Sequence, residues 1–206
     1  MIETGKHEGF RYPDTANDAP DQDHTEFGIT PSQTVGPYVH IGLTLADSEV
    51  MAYPDDSTGD GNGTVEIEFT VIDGDGAPIA DAMIELWQAR PDGTFNTDSH
   101  DGFRGLGRAM ADDNGQVTFT TLVPGGFGDE APHINVGVFA RGMLERLYTR
   151  LYFPENTEAN NTDPVLHLVD EPRRSLLVAQ KTDKGYSMTI HVQHPDLSLE
   201  TPFFRI

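Results

Sequence analysis

Histidines and carboxylates are the side chains most able to do chemistry in this chain. Eight histidines are scattered along it: His7, His24, His40, His100, His133, His167, His191 and His194. A metal-binding helix needs His-x-x-x-His or His-x-x-Glu-His spacing to put two imidazoles on one face, and no pair has it. His133 opens an apolar run. Two residues on, on the same face of a strand, stands Asn135 rather than a second imidazole. A lone strand histidine is usually a hydrogen-bonded packing residue. Carboxylates number 34, and in so acidic a chain most are solvated surface groups. There is no cysteine, which excludes a thiol nucleophile, a disulfide framework and a zinc–thiolate site. No Gly-x-Ser-x-Gly elbow, dinucleotide fingerprint or P-loop occurs. Gly59-Asp60-Gly61-Asn62-Gly63 is followed by neither Lys nor a helix and reads as a flexible loop. These residues assign no catalytic group and no metal ligand.

One cation stands apart. Arg141 ends the apolar run in Phe139-Ala140-Arg141-Gly142. A guanidinium at a strand end, beside glycine, can aim its planar fork at a carboxylate ligand. An ion pair with a nearby acid uses the same chemistry, and the residues alone leave both open. The segment from Thr30 to Leu43 mixes Pro, Gly and aromatic residues without a helix or strand period. It reads as an extended, ordered loop along the domain.

The elements that must position these groups are strands. Residues 64–72 alternate apolar and polar, the pattern of a half-buried strand. Asp73-Gly74-Asp75-Gly76 and Asp112-Asp113-Asn114-Gly115 are turn sequences. Further strands are predicted over 82–89, 116–123, 133–140, 147–153 and 187–193. Helix signals are confined to short stretches near Glu155–Asn161 and Glu171–Ser175. The pattern predicts an all-β chain, an antiparallel β-sandwich over residues 28–206. Residues 1–27 are acidic, rich in Pro, Gly and Asn, and poor in aliphatic side chains. They are predicted to form a disordered extension.

The formal net charge is -21 over 206 residues. It disfavours nucleic acid and anionic membrane surfaces as partners, since both require cations to replace counterions. Lys occurs only at Lys6, Lys181 and Lys184. Acid excess with scarce Lys predicts adaptation to high salt, where screening relieves self-repulsion. The first residues lack a basic start and an apolar run, and no apolar stretch nears the roughly 18 residues of a membrane helix. The expectation is a cytoplasmic protein.

Several segments carry a resemblance. Residues 30–43, Thr-Pro-Ser-Gln-Thr-Val-Gly-Pro-Tyr-Val-His-Ile-Gly-Leu, closely resemble the N-terminal signature of protocatechuate 3,4-dioxygenase alpha subunits, within the intradiol ring-cleavage family. The similarity continues through Leu86-Trp87-Gln88-Ala89, Ala131-Pro132-His133-Ile134-Asn135, Phe139-Ala140-Arg141-Gly142, Thr149-Arg150-Leu151-Tyr152-Phe153 and Phe203-Phe204. It runs from about residue 28 to the end. Beta-type chains of the family hold ferric iron with two tyrosines and two histidines. Against that pattern this chain has Asn135 for one histidine and Phe127 after the Pro-Gly turn for one tyrosine. It has no tyrosine between Ala89 and Phe103, and it has Glu130 where beta chains have an arginine. One histidine cannot hold ferric iron.

The resemblance therefore implies a chain without iron that pairs with an Fe(III)-bearing beta subunit. Thr34, Gly36, Pro37 and Tyr38 would line the partner's substrate pocket, and Arg141 would bind the ring carboxylate of protocatechuate. On the partner's ferric iron, the catechol would be cleaved with O2 to 3-carboxy-cis,cis-muconate. Two other readings stand beside it: a self-sufficient homo-oligomeric dioxygenase, which the missing tyrosines oppose, and a non-enzymatic sandwich module for binding or scaffolding.

Overall fold

Strand β1 (Val65–Ile72) shows how the sequence pattern becomes a layer. Ile67, Phe69 and Val71 are fully buried while Glu68 between them is exposed, so alternate side chains enter the core. The computed structural model describes residues 33–53, 63–95 and 102–205. The acidic segment 1–27, the first residues of the Thr30–Leu43 segment and most of the Gly59–Gly63 loop lie outside the described residues.

Eight strands form two four-stranded sheets. The remaining seven are β2 (Met83–Gln88), β3 (Leu106–Met110), β4 (Gln116–Thr121), β5 (His133–Phe139), β6 (Leu147–Tyr152), β7 (Gln180–Lys181) and β8 (Gly185–His191). The first sheet has the order β4-β1-β8-β7 and the second β3-β2-β5-β6. Every pair is antiparallel except β1 with β8, which run parallel from Glu66↔Gly185 to Ile72↔His191. The architecture is the β-sandwich expected. Its parallel pair is a departure that short strands with turn signals do not reveal.

The core lies between the sheets. Ile67, Phe69 and Phe119 from one sheet belong to the same buried cluster as Ile84, Leu86, Ile134, Val136, Val138 and Leu151 from the other. Phe69 and Phe119 meet edge to face at 6.2 Å, a favoured aromatic geometry. β5 is central in its sheet and buried along nearly its whole length, which explains its continuous apolar run.

Register fixes what the outer face of the second sheet presents. Ile84↔Val138 and Leu86↔Val136 point inward. The alternate pairs Met83↔Phe139, Glu85↔Gly137 and Trp87↔Asn135 therefore point outward. On β6 the outward residues are Tyr148, Arg150 and Tyr152, the last opposite His133. All the polar groups discussed below lie on this face or at its edges.

Three elements differ from expectation. β3 is a strand that Gly105-Leu106-Gly107-Arg108 concealed, because two glycines interrupt the alternation. Gly107 is required there: an added Cβ would lie 2.6 Å from Cγ of Met51, which packs across the strand. β7 has only two residues and no period to detect. The loop after Gly36 contains a single-turn helix, α1 (Val39–Gly42). The short helices near 155 and 171 are present as α2 (Thr157–Asn160) and α3 (Glu171–Arg174), flanked by 3-10 turns at Pro154–Asn156 and Ser175–Leu177. Among the described residues no helix is long and apolar enough to cross a membrane.

Candidate functional site

The N-terminal arm and the turn after β5 meet at one end of the second sheet. The arm turns at Gly36, where φ is +70°. A side chain there would meet nothing within 4 Å, so glycine is needed for its conformation and not for space. Pro37 and Tyr38 lead into α1, whose last turn closes through the Leu43 N–H donating to the Val39 carbonyl. Thr34 ties the arm to the sheet: its Oγ1 accepts the Gly142 N–H at 3.3 Å. That bond joins the arm to the residue following Arg141.

The arm's side chains face outward. Tyr38 is 78% exposed, and Val35, Ile41 and Leu45 are also exposed apolar residues. Arg141 is 83% exposed, and its Nε donates to Oδ2 of Asp81 at 2.7 Å. The ion pair weighed for Arg141 thus forms, through one edge of the guanidinium. The structure brings Thr34 and Arg141 to one turn. It sets Gly36, Pro37 and Tyr38 on the adjoining arm, with Tyr38 open to solvent.

The position that the resemblance assigns to a metal lies elsewhere on the outer face. His133 is buried, and its Nδ1–H donates to the Ala131 carbonyl at 2.8 Å. Its Nε2 faces Oε2 of Glu130 at 3.5 Å. Burial, reinforced by the Arg150 guanidinium, holds the His133 pKa below its usual value, so the ring is neutral. Glu130 pairs instead with Arg150, whose Nη1 lies 2.7 Å from the same oxygen; the Arg150 side chain is only 12% exposed. Burial also pushes the Tyr148 and Tyr152 phenols up, so both stay protonated. Tyr148 donates to Oδ1 of Asn135 at 2.5 Å, and Tyr152 donates to Asp163 at 3.0 Å. Asp163 is fully buried and also accepts the N–H groups of Ala131, Val165 and Leu166. Phe127 sits edge-on to Phe95, which stacks on Trp87.

These residues do not fit a ferric ion. Ferric iron needs anionic oxygens and imidazoles. This position offers one neutral imidazole, a carboxamide already engaged by a phenol, a phenyl ring and a guanidinium. The guanidinium's charge opposes any cation beside it. Among the described residues no group of three or more His, Cys, Asp or Glu side chains is arranged to hold a metal. Asp81, Arg150 and Asp163 escaped the sequence reading. Their partners are set by strand register and loop closure, and nothing in the local pattern of a chain with 34 acids marks these two out.

A family model described as Dioxygenase matches residues 35–197. The protocatechuate 3,4-dioxygenase alpha chain of Pseudomonas putida is 37% identical over 198 residues, 85% of this chain and 95% of that one. The chain belongs to the intradiol dioxygenase family. Within it, a second alpha chain, from Burkholderia cepacia, is 38% identical and covers 86% of this chain and 97% of its own length. A protocatechuate 3,4-dioxygenase beta chain of Burkholderia cepacia is 29% identical over 57% of each chain. Among solved structures, the dioxygenase domain of a dioxygenase carbohydrate-binding protein fusion from Streptomyces sp. SirexAA-E aligns with TM-score 0.54 and 25% identity. It covers 84% of this chain and 99% of that domain. The 3-chlorocatechol 1,2-dioxygenase of Rhodococcus opacus 1CP aligns with TM-score 0.51 and 23% identity over 69% of this chain and 62% of that one, and shows the shared fold. Both this intradiol dioxygenase chain and the alpha chains therefore share one sandwich, here with a guanidinium–carboxylate pair at the metal position.

Proposed function

We propose that this chain is the alpha-type half of a protocatechuate 3,4-dioxygenase, completing the substrate pocket of a beta-type partner that holds Fe(III). The observation that carries the reading is a contrast within one face. The metal position is filled by the Glu130–Arg150 pair, while the arm and Arg141 are kept together and open to solvent. Such a chain cannot supply metal chemistry, but it can lend a wall and a cation to a neighbour's site.

In this reading Arg141 holds the ring carboxylate of protocatechuate. A permanent cation with a planar fork suits that ligand. Thr34, Gly36, Pro37 and Tyr38 form the wall that orients the ring and excludes water once the partner closes over it. The partner's ferric centre supplies Lewis-acid activation of the two catechol oxygens. With O2, the bond between the hydroxylated carbons is cleaved to give 3-carboxy-cis,cis-muconate. The acid excess fits work in a salt-rich cytosol.

The test is Arg141→Ala in the complex with the beta chain, assayed on protocatechuate and on catechol, which lacks the carboxylate. A charge-assisted pair of this kind is worth roughly 1.5–3 kcal/mol, so kcat/KM for protocatechuate should fall about ten- to a hundredfold relative to catechol. Lys at this position should recover part of the loss, keeping the charge without the fork. An equal loss on both substrates would make Arg141 a structural residue.

A further inference from the structure

Arg141 is 83% exposed, yet one edge of its guanidinium is held. The β2–β5 register pairs Glu85 with Gly137 and Met83 with Phe139. Carried two residues further along both chains, it sets residue 81 opposite residue 141 on the same outer face. Asp81 is thus the cross-strand neighbour of Arg141 just beyond the end of the ladder. Its side chain is 26% exposed, far less than that of Arg141.

Both backbones are fixed at this point. The Ala82 N–H donates to Ile79, and the Ala82 carbonyl accepts from Ala111. On the other side, the Met143 N–H donates to Ala140, and the Gly142 N–H donates to Thr34. The carboxylate is therefore presented from a braced position to the Nε edge of a mobile side chain. The two Nη groups donate to no described residue.

We propose that Asp81 is a positioning residue: it holds the Nε edge of Arg141 so that the Nη end faces the substrate carboxylate. The inference rests on the reading of Arg141 given above. An unheld arginine at such exposure samples many rotamers, and binding an anion would have to freeze them. Asp81 fixes part of that freedom in advance. It also offsets the charge of Arg141, so attraction for anions in general is exchanged for a directional site. An exposed ion pair adds little to fold stability, so removing it should leave the fold intact.

The experiment uses the assembled complex and compares Asp81→Ala, Asp81→Asn, Arg141→Ala and the double variant on protocatechuate and catechol. Asp81→Ala should raise KM for protocatechuate about three- to tenfold, the reach of one hydrogen bond, with a much smaller change in kcat. The ratio of protocatechuate to catechol kcat/KM should fall accordingly. Asp81→Asn should recover most of the loss, since its amide oxygen still accepts from Nε. In the Arg141→Ala background, Asp81→Ala should add nothing, because it acts only through Arg141. An unchanged or lowered KM, or equal losses on both substrates, would overturn the role of Asp81 alone, provided Arg141→Ala itself lowers the ratio. If Arg141→Ala leaves the ratio untouched, the reading of Arg141 falls and the role of Asp81 falls with it.

Discussion

His133 is a residue whose charge is decided by its surroundings. Burial and the nearby Arg150 guanidinium disfavour its protonated form, while Glu130 and Asp163 oppose them less strongly. Its folded pKa therefore lies below the unfolded value of about 6.5. As pH falls, the unfolded chain takes up this proton first. The stability that His133 contributes is full above about pH 6.5 and declines as pH drops through that value toward the folded pKa. His133→Gln removes the proton site. Urea midpoints between about pH 7.5 and 5.5 should fall more steeply for the natural chain than for the variant, and parallel curves would contradict a buried neutral ring. At this scale the sequence was legible where a residue type was simply missing, as with Asn135 and Phe127. It was opaque where function depends on a partner. Asp81 meets Arg141, and Glu130 meets Arg150, only after two distant segments are folded into register.

Among the elements, the arm is the one most exposed to failure. It is tied to the turn after β5 by the Gly142–Thr34 bond, which is exposed and 3.3 Å long. Thr34→Val removes the acceptor and keeps the shape. We expect KM for protocatechuate in the assembled complex to rise about two- to tenfold, the range of one hydrogen bond, with the melting temperature nearly unchanged. A wild-type KM would mean that the arm is held by other contacts. Six strands were readable from alternation or apolar runs, because each buries one face or both. β3 was hidden by Gly105 and Gly107, and α1 by its length of one turn. The parallel pairing of β1 with β8 was beyond any local pattern, since it joins strands separated by most of the domain.

For the whole molecule, charge is the dominant property. At -21, with Lys at only three positions, the chain repels itself in dilute buffer. Molar potassium chloride shortens the screening length to about 3 Å and should raise the melting temperature of the complex; a melting temperature unchanged or lowered by salt would contradict salt adaptation. The acidic character was plain in the composition. Which surface meets the partner was not, because the exposed Tyr38, Ile41 and Leu45 become a patch only when the arm is folded.

The central claim is that this chain shapes a site whose metal belongs to its partner. Its most direct test is the iron content of the purified chain alone and of its complex with the beta chain, each measured after brief chelation. We predict no stoichiometric iron in the chain alone and one iron per pair of chains in the complex. One tightly held iron in the chain alone would contradict the account, because the Glu130–Arg150 pair and Asn135 would then have to be displaced by a metal they do not fit.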